Sequence, residues 1–161
     1  MKVAVLQFPG TNCEFDAKYA FTKLGCDVEV IWHKDKKLPD NTDLVVVPGG
    51  FSYGDYLRSG AIARFANIME DVKKFASNGG KVLGICNGFQ ILLEAGLLPG
   101  AMKRNDTLHF ISKYHTLKVI DNNNEFLRLL NIGDVVNIPV AHHDGNYYID
   151  EVGLKELEAN N

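Results

Sequence analysis

A junction between a strand-like and a helix-like segment, within residues 81–100, constrains the fold of this chain more than any other stretch. Residues 82–85 form a short apolar run with the β-branched content of a buried strand. Residues 87–95 have the apolar spacing of a helix. The two meet at GICNG, residues 84–88, where glycines on both sides permit a tight turn that exposes the central side chain. The pattern predicts a nucleophile elbow with cysteine in place of serine.

The central residue of this turn is Cys86, which the pattern places at the N-terminus of a helix. Unpaired backbone amides and the positive end of the helix dipole favour a thiolate there, and the thiolate is the nucleophilic form. A buried structural cysteine is the alternative, because cysteine is among the most buried residue types. Two flanking glycines would be costly in a turn that served packing alone. We therefore expect Cys86 to be a catalytic nucleophile.

Strand and helix patterns alternate in the first hundred residues, which is typical of a parallel sheet with helices on both faces. Strands are predicted at residues 2–8, 27–32 and 44–47, ahead of the strand at 82–85. The first predicted helix, residues 11–24, begins with a capping box of Thr11 and Glu14 and ends before Gly25. A second, longer helix is predicted at residues 59–77. We expect an α/β fold with a mostly parallel sheet between two layers of helices.

A loop rich in glycine and aromatic residues, PGGFSYGDY at 48–56, follows the third predicted strand. Glycines let backbone amides approach a ligand closely, and ligands of open α/β sheets bind outside the carboxyl ends of the strands. The loop amides are therefore candidates for an oxyanion hole. A phosphate-binding loop is the alternative, but the chain has no G-x-x-x-x-G-K-[ST] motif, and Gly79-Gly80-Lys81 only ends a helix before the next strand.

Beyond Pro99-Gly100 the alternation of strands and helices ends, and strands are predicted at residues 108–112, 116–120 and 135–140. A turn at residues 122–124 and a short helix at 125–130 are predicted between them. We expect this half to be an antiparallel extension of the parallel sheet. Because no internal repeat or low-complexity linker marks a boundary, we expect a single domain over residues 1–161.

Composition excludes several classes of function. The 161 residues, 46% hydrophobic and 23% charged, suit one domain with a substantial core. A net charge of −3 and the lack of a basic cluster among aromatic residues give no reason to expect nucleic acid as a partner. No apolar run approaches the ~20 residues that span a bilayer. Cys13, Cys26 and Cys86 lack metal-ligand spacing, so we expect no metal and a reducing, cytoplasmic compartment.

Four motifs in order along the chain carry a resemblance to a known family. They are QFPGTNC at 7–13, PGGFSYGD at 48–55, GICNGFQ at 84–90, and AH at 141–142 followed by GNY at 145–147. In these motifs the chain resembles the class I, or triad, glutamine amidotransferases, and among them the glutaminase subunits of phosphoribosylformylglycinamidine synthase in de novo purine biosynthesis. The resemblance covers nearly the whole chain and implies a flavodoxin-like, three-layer α/β fold.

The resemblance implies a thiol-based glutaminase reaction. Cys86, at the position of the family's nucleophile, attacks the side-chain amide of glutamine, releases ammonia and leaves a glutamyl thioester that water hydrolyses to glutamate. The backbone amides of Gly50 and Asn87, with that of Phe51 as a further candidate, hold the oxyanion. Gln90 and Phe51 help to bind the substrate glutamine. The residue pattern alone equally allows Gln90 to be a polar side chain facing solvent.

The resemblance also implies partners. Ammonia passes to a separate synthetase subunit, which binds formylglycinamide ribonucleotide, ATP and the expected Mg, and a small bridging subunit completes the bacterial type of complex. This chain has no ATP-binding motif, so we expect no cofactor in it. Residues 51–59, which include Arg58, and the loop at 141–148 are candidate contact surfaces. A covered active-site rim is the alternative for both segments.

Two departures from the family pattern affect the expected mechanism. The family's general-base histidine and its orienting glutamate lie in a His-Pro-Glu motif near the C-terminus, and residues 1–161 contain none. We therefore expect that the chain lacks the family's C-terminal segment and turns glutamine over poorly by itself. His143-Asp144 stand where the family has Gly-Glu. His142 with Asp144 is a candidate replacement base, although His142 aligns with the family's own Ala-His motif.

Two other classes of function stay open on the sequence alone. A truncated or degenerate, non-catalytic subunit with a vestigial Cys86 fits the missing triad. A hydrolase or chaperone-like protein of the PfpI superfamily shares the cysteine elbow, but histidine usually follows the cysteine there, where Asn87 stands in this chain. Glutamine-dependent ammonia production by the assembled complex discriminates among these hypotheses.

Overall fold

The computed structural model describes residues 1–160. Their backbone divides into two compact units, Met1–Ala101 and a second unit that begins at Met102. The first unit contains the parallel sheet and the predicted elbow. The second contains two pairs of strands and a helix. That both units act as one domain over residues 1–161 stays a prediction.

Four parallel strands form the sheet of the first unit, in the order β2-β1-β3-β4. They are β1 (Lys2–Gln7), β2 (Asp27–Trp32), β3 (Leu44–Val47) and β4 (Lys81–Gly84). β1 and β3 lie in the middle, and every residue of β3 is buried. Continuous apolar sequences suit such strands because both faces are covered. The predicted parallel sheet is confirmed.

Helices cover both faces of this sheet. They are α1 (Glu14–Lys23), α2 (Asn67–Ser77) and α3 (Asn87–Glu94). Successive residues of β1 point to opposite faces. Val3 and Val5 pack with Ala17 of α1, whereas Ala4 and Leu6 belong to a core shared with buried residues of α2 and α3. The predicted three-layer arrangement is therefore confirmed.

The predicted capping box at the start of α1 is wrong. The helix begins at Glu14, and its N-cap residue, Cys13, makes no side-chain capping bond. The Thr11 hydroxyl instead accepts a hydrogen bond from the backbone N–H of Phe8 at 3.1 Å. Glu14 accepts one from the side-chain amide of Gln7 at 2.6 Å. Both side chains bind the end of β1 and the turn after it, and these hydrogen bonds replace the ones that would cap the helix.

The predicted helix at residues 59–77 is wrong in its first half. α2 forms only the second half, and a short 3-10 segment, Ala63–Phe65, precedes it. Gly60 has a left-handed φ of 81°, and a Cβ there would lie 2.8 Å from a backbone nitrogen of α3. This close approach to α3 requires a backbone conformation that a continuous helix does not allow. Phe65, the last residue of the 3-10 segment, is 70% exposed.

The second unit contains two separate two-stranded sheets and one helix. β6 (Ile111–Lys118) pairs antiparallel with β7 (Val135–His142). β5 (Ala101–Lys103), which begins at the unit boundary, pairs with β8 (Asn146–Tyr148), and α4 (Glu151–Asn160) follows. The antiparallel character expected for this half is confirmed for β6 and β7. In the described residues these strands form their own sheets, however, and do not extend the parallel sheet.

Several local predictions in the second unit are wrong. The strands expected at 108–112 and 116–120 are largely one strand, β6, because the residues between them continue the pairing with β7. No helix forms at 125–130, where Asn124 accepts hydrogen bonds from the backbone N–H groups of Phe126 and Leu127 and the chain makes turns. β5, β8 and α4 were not predicted, since their short or polar sequences have weak periodicity.

Candidate active site

Cys86 lies in the turn between β4 and α3, where the sequence predicted a nucleophile elbow. Its φ of 52° and ψ of −112° are unusual for a residue with a side chain, and the side chain is exposed. Such backbone strain persists only where the surrounding structure enforces it, and it concentrates at functional sites. The elbow therefore presents the Cys86 thiol to solvent at the N-terminus of α3.

Close backbone contacts require both glycines of the elbow. A Cβ on Gly88 would overlap the carbonyl oxygen of Val47, and one on Gly84 would lie 2.8 Å from the backbone nitrogen of Phe89. The same Val47 carbonyl accepts a hydrogen bond from the N–H of Ile85 at 2.9 Å. The end of β3 thus holds the chain on both sides of the exposed thiol, and the two glycines permit the tight turn that the sequence predicted.

Backbone N–H groups close to the elbow are available to a ligand. Gly49 lies against the elbow, since a Cβ built on it would be 3.4 Å from the Cβ of Cys86. In the described part of the chain, no hydrogen bond uses the backbone N–H of Gly50 or that of Asn87. The N–H of Phe51, the further candidate for the oxyanion hole, donates to the Gly10 carbonyl at 3.3 Å. The available donors are therefore those of Gly50 and Asn87.

The Asn87 side chain links the glycine-rich loop to α3. It is 2% exposed, and its Oδ1 accepts a hydrogen bond from the backbone N–H of Ser52 at 2.9 Å. Its Nδ2 donates to Asp55 Oδ1 at 3.3 Å and to Gln90 Oε1 at 3.0 Å. The sequence patterns did not predict this network. The signal for it was two polar residues, Ser52 and Asp55, in the loop that follows the buried strand β3.

Gln90 does not face solvent, so the alternative interpretation of Gln90 as a solvent-facing polar residue is wrong. Its side chain is buried and hydrogen-bonded to Asn87, close to the start of α3. The hydroxyl of Ser52, also buried, has no hydrogen-bond partner among the described residues. Phe51, by contrast, is 54% exposed. Substrate binding by Gln90 and Phe51 stays a prediction.

The other two thiols differ from Cys86 in their surroundings. Cys13 lies near the elbow, because a Cβ built on Gly49 would be 3.6 Å from its sulfur. Burial raises the pKa of the Cys13 thiol, and the negative charges of Asp16, Cys86 and Glu14 raise it further. Cys26 is half-buried and packs against the core under α1. Neither thiol sits in an exposed, strained turn, which distinguishes Cys86 from both.

His142, the candidate replacement base, belongs to a hydrogen-bonded cluster of the second unit. Its Nδ1 lies 2.9 Å from Oδ1 of the buried Asn105. Asn105 also donates to the carbonyls of His109 and His142 and accepts from the N–H of Gly145. Because that Oδ1 can only accept, Nδ1 of His142 carries the proton and Nε2 is its basic nitrogen. Asn105 was not predicted from the sequence, since a lone asparagine outside a motif gives no signal. His143, the residue after His142, packs edge-on against Phe110.

Residues 1–160 lack two further kinds of feature. Nowhere in this part of the chain do three or more His, Cys, Asp or Glu side chains gather as a metal site would require. Nor does any of its helices have the length and apolar content needed to cross a membrane.

Comparison with known families identifies the class of protein that this site defines. The chain matches the CobB/CobQ-like glutamine amidotransferase domain over residues 1–161. It belongs to this family of glutamine amidotransferases. Two solved structures with 17% identity, a putative GMP synthase subunit from Thermoplasma acidophilum and a glutamine amidotransferase from Thermotoga maritima, have TM-scores of 0.63 and 0.62 and share the fold.

Closer relatives carry a more particular name. Phosphoribosylformylglycinamidine synthase subunit PurQ of Sulfurimonas denitrificans is 68% identical over 161 residues, which are 100% of this chain and 72% of the relative. The protein of the same name from Wolinella succinogenes is 62% identical over 160 residues, 99% of this chain and 73% of the relative. A chain in the structure of PurLQS from Thermotoga maritima has a TM-score of 0.87 and 41% identity, covering 93% of this chain and 70% of that one. Within the amidotransferases the chain groups with the PurQ subunits, which confirms the resemblance found in its motifs.

Proposed function

We propose that this chain is the glutamine amidotransferase subunit of phosphoribosylformylglycinamidine synthase, which hydrolyses glutamine and supplies ammonia for purine biosynthesis. The relatives that share most of its length are named as this subunit. The observation that carries the chemistry is the exposed Cys86 thiol in a strained elbow, beside the available N–H groups of Gly50 and Asn87. A nucleophile and oxyanion donors are the two parts that acyl transfer from an amide needs.

In the proposed reaction, the Cys86 sulfur attacks the side-chain amide carbon of glutamine and the carbonyl oxygen becomes an oxyanion. The N–H groups of Gly50 and Asn87 donate to that oxygen, and losing one such donor typically costs about 2.7–4 kcal/mol of transition-state stabilisation. The intermediate collapses as the C–N bond breaks and the nitrogen takes a proton to leave as ammonia. Water then attacks the thioester carbon, the C–S bond breaks, and glutamate and the free thiol are formed.

A general base has to take the thiol proton and give it to the leaving nitrogen. His33 is the only histidine in residues 1–101, and its Nδ1 is hydrogen-bonded to the Tyr53 hydroxyl at 2.7 Å. Two histidines are candidates for this base, one from the family's motif and one from the sequence of this chain. The family's His-Pro-Glu histidine is the first candidate, and His142, with Nε2 as its basic nitrogen, is the second.

Substrate recognition is assigned to the same end of the sheet. Gln90, in the first turn of α3, is close to the nucleophile in sequence and is fixed by Asn87. Phe51 follows Gly50 and exposes its ring, which can cover the aliphatic part of bound glutamine. These roles are proposals carried over from the family positions, and substitution at either residue is expected to raise KM for glutamine.

The proposed partners are an ATP-dependent synthetase subunit, with Mg, and a small bridging subunit. The structural relative is a chain of the PurLQS complex. The exposed apolar side chains Tyr56 and Leu57, 71% and 74% exposed, are the part of residues 51–59 best suited to contact a partner. Tyr53 is half-buried and bonded to His33, and Arg58 is paired with both carboxylate oxygens of Glu94 at 2.6 and 2.7 Å, so neither is a good probe of that contact.

The synthetase contact is tested by Tyr56→Glu and Leu57→Asp in the natural protein. Each introduced charge is expected to weaken the assembly with the synthetase and bridging subunits in gel filtration, because an apolar interface excludes an unpaired charge. Leu24→Asp, at an equally exposed apolar position after α1, is the control and is expected to leave assembly unchanged. Complexes that assemble normally with both substitutions would refute this surface.

We also assign the protein to the cytoplasm, where its three free thiols remain reduced.

The glutaminase function itself is tested by glutamate release from the assembled complex in the presence of ATP and formylglycinamide ribonucleotide. Cys86→Ala is expected to abolish release with glutamine, whereas synthesis with added ammonia persists because the synthetase active site is intact. Cys26→Ala, which alters a packed thiol, is the control and should retain activity. Release that survives in Cys86→Ala would refute the nucleophile, and a wild-type complex that uses only free ammonia would support the non-catalytic alternative.

A further inference from the structure

We infer that the side chain of Asn87 is a positioning residue for the glutaminase reaction, because it fixes the loop that carries Gly50 against the nucleophile elbow. The inference rests on the proposed function and concerns the amide side chain, in addition to the backbone N–H of the same residue. Asn87 directly follows Cys86 and begins α3, so any group that it binds is held relative to the nucleophile.

The geometry identifies what Asn87 holds. The N–H of Ser52, two residues after Gly50, donates to Asn87 Oδ1, and Asp55, at the end of the short 3-10 segment Ser52–Asp55, accepts from Nδ2. The second hydrogen of Nδ2 goes to Gln90, three residues further along the first turn of α3. One buried amide therefore joins both ends of this loop segment to the helix that the elbow starts.

The orientation of the Asn87 amide follows from its partners. A backbone N–H can only donate, so the atom that faces Ser52 is the carbonyl oxygen. The NH₂ group then faces two oxygen acceptors, on Asp55 and Gln90, and its two hydrogens are both used. An aspartate would keep the acceptor for Ser52 but would place a carboxylate oxygen beside these two acceptors.

The loop needs such an anchor because its backbone is strained. Tyr53, Asp55 and Leu57 have φ values of 53°, 52° and 71°, in the left-handed region that residues with a Cβ rarely adopt. Strained conformations persist only when surrounding contacts outweigh their cost. Without the Asn87 side chain, the loop is expected to relax and to shift the N–H of Gly50 away from the position where the oxyanion forms.

The experiment measures glutamine hydrolysis by the natural protein in its complex with the synthetase subunit. Misplacing a catalytic group by ~1 Å typically costs about 10²-fold in rate. Asn87→Ala is therefore expected to lower kcat by about 10²-fold, since the oxyanion contact exists only in the transition state. A smaller rise in KM is expected beside it, because Asn87 also holds Gln90. Alkylation of Cys86 by iodoacetamide, which needs no oxyanion donor, is expected to stay close to the wild-type rate.

A reciprocal pair of variants keeps the test decisive if Asn87→Ala fails to fold. Asn87→Asp alone should lose activity because its carboxylate faces Asp55, whereas Asn87→Asp with Asp55→Asn restores a donor opposite the carboxylate. The double variant is expected to regain at least about tenfold over Asn87→Asp, a coupling within the range measured for contacting residues. Asp55→Asn alone is the matched single control.

The outcomes separate this inference from the proposed function. A kcat for Asn87→Ala close to wild type, or a fall in kcat matched by an equal fall in the alkylation rate, would overturn the positioning role. So would a double variant no more active than Asn87→Asp. If the wild-type complex releases no glutamate, or Cys86→Ala remains active, the proposed function fails and the inference fails with it. A fall in kcat without an equal fall in the alkylation rate, with rescue by the double variant, supports the inference.

Discussion

Gly88 lies so close to the carbonyl oxygen of Val47 that a Cβ on Gly88 would overlap that oxygen. The same oxygen accepts a hydrogen bond from the N–H of Ile85, the residue before Cys86. One carbonyl at the end of β3 therefore fixes the chain both before and after the proposed nucleophile. The exposed position of the thiol depends on this contact as much as on the local sequence of the elbow.

Gly88→Ala is expected to displace the elbow and to lower kcat for glutamine hydrolysis by about 10²-fold, because the added methyl group meets rigid backbone. The free energy of unfolding should fall by roughly 1–3 kcal/mol, as for other overpacked sites. Gly96→Ala, after the other end of α3, is the control: a Cβ there meets open space and adds only the strain of a φ of 72°. Steady-state kinetics and urea unfolding measure the two effects, and equal losses of activity in both variants would contradict the account.

Sequence patterns predicted the parts of the fold in which local and tertiary preferences agree. The strand at 44–47 is apolar throughout because both of its faces are buried, and its pattern gives the same bounds as the structure. The elbow was predictable for a related reason. Gly84 and Gly88 serve a backbone contact that no residue with a Cβ allows, so their spacing around Cys86 is itself the signal.

The wrong predictions come from tertiary contacts that a local pattern does not contain. Residues 59–65 have helix-forming side chains, but the approach of Gly60 to α3 excludes a helix there. Thr11 and Glu14 have the spacing of a capping box, yet their side chains bind the turn after β1 and Gln7. The Asn87 network escaped prediction because its partners, Ser52 and Asp55, are far away in sequence.

The three thiols are expected to differ in their reaction with iodoacetamide. Cys86 should be alkylated first near neutral pH, because it is the exposed one, and an electrophilic glutamine analogue should label it alone. Cys13 should react slowly and gain rate as the pH rises, since burial and then the charge of Asp16 raise its pKa. Because the charge of Cys86 contributes to that shift, Cys86→Ser is expected to speed alkylation of Cys13. Peptide mapping by mass spectrometry measures each site, and preferential labelling of Cys13 or Cys26 in the wild type would refute the order.

Asn105→Ala is expected to destabilise the protein by about 1–3 kcal/mol, the typical cost of leaving buried hydrogen-bonding groups without partners. The change would remove the acceptor for Gly145 and His142 and the donor for two carbonyls. Asn137→Ala, which loses one exposed hydrogen bond to Thr116, is the control and should change stability by less than about 0.5 kcal/mol. Denaturant unfolding gives both values. The His142 ring should also lose its preference for a proton on Nδ1, which the chemical shifts of its two nitrogens measure. Unchanged nitrogen shifts in Asn105→Ala would show that Asn105 does not set the tautomer.

His33 is expected to make stability depend on pH. Burial lowers its pKa, the charge of Lys34 lowers it further and Asp35 opposes the shift, so the folded protein favours the neutral ring that is bonded to Tyr53. The unfolded chain takes up a proton at about pH 6.5, before the folded chain does. The stability due to neutral His33 is therefore fully present above that pH and is lost as the pH falls toward the lower folded value. Between about pH 7.5 and about pH 5.5, Tm should fall more for wild type than for His33→Asn, which removes the titrating ring. His115→Asn, at an exposed position in β6, is the matched control and should follow the wild type. If His33→Asn and wild type lose the same Tm over this range, the histidine contributes nothing to the pH dependence and the prediction is wrong.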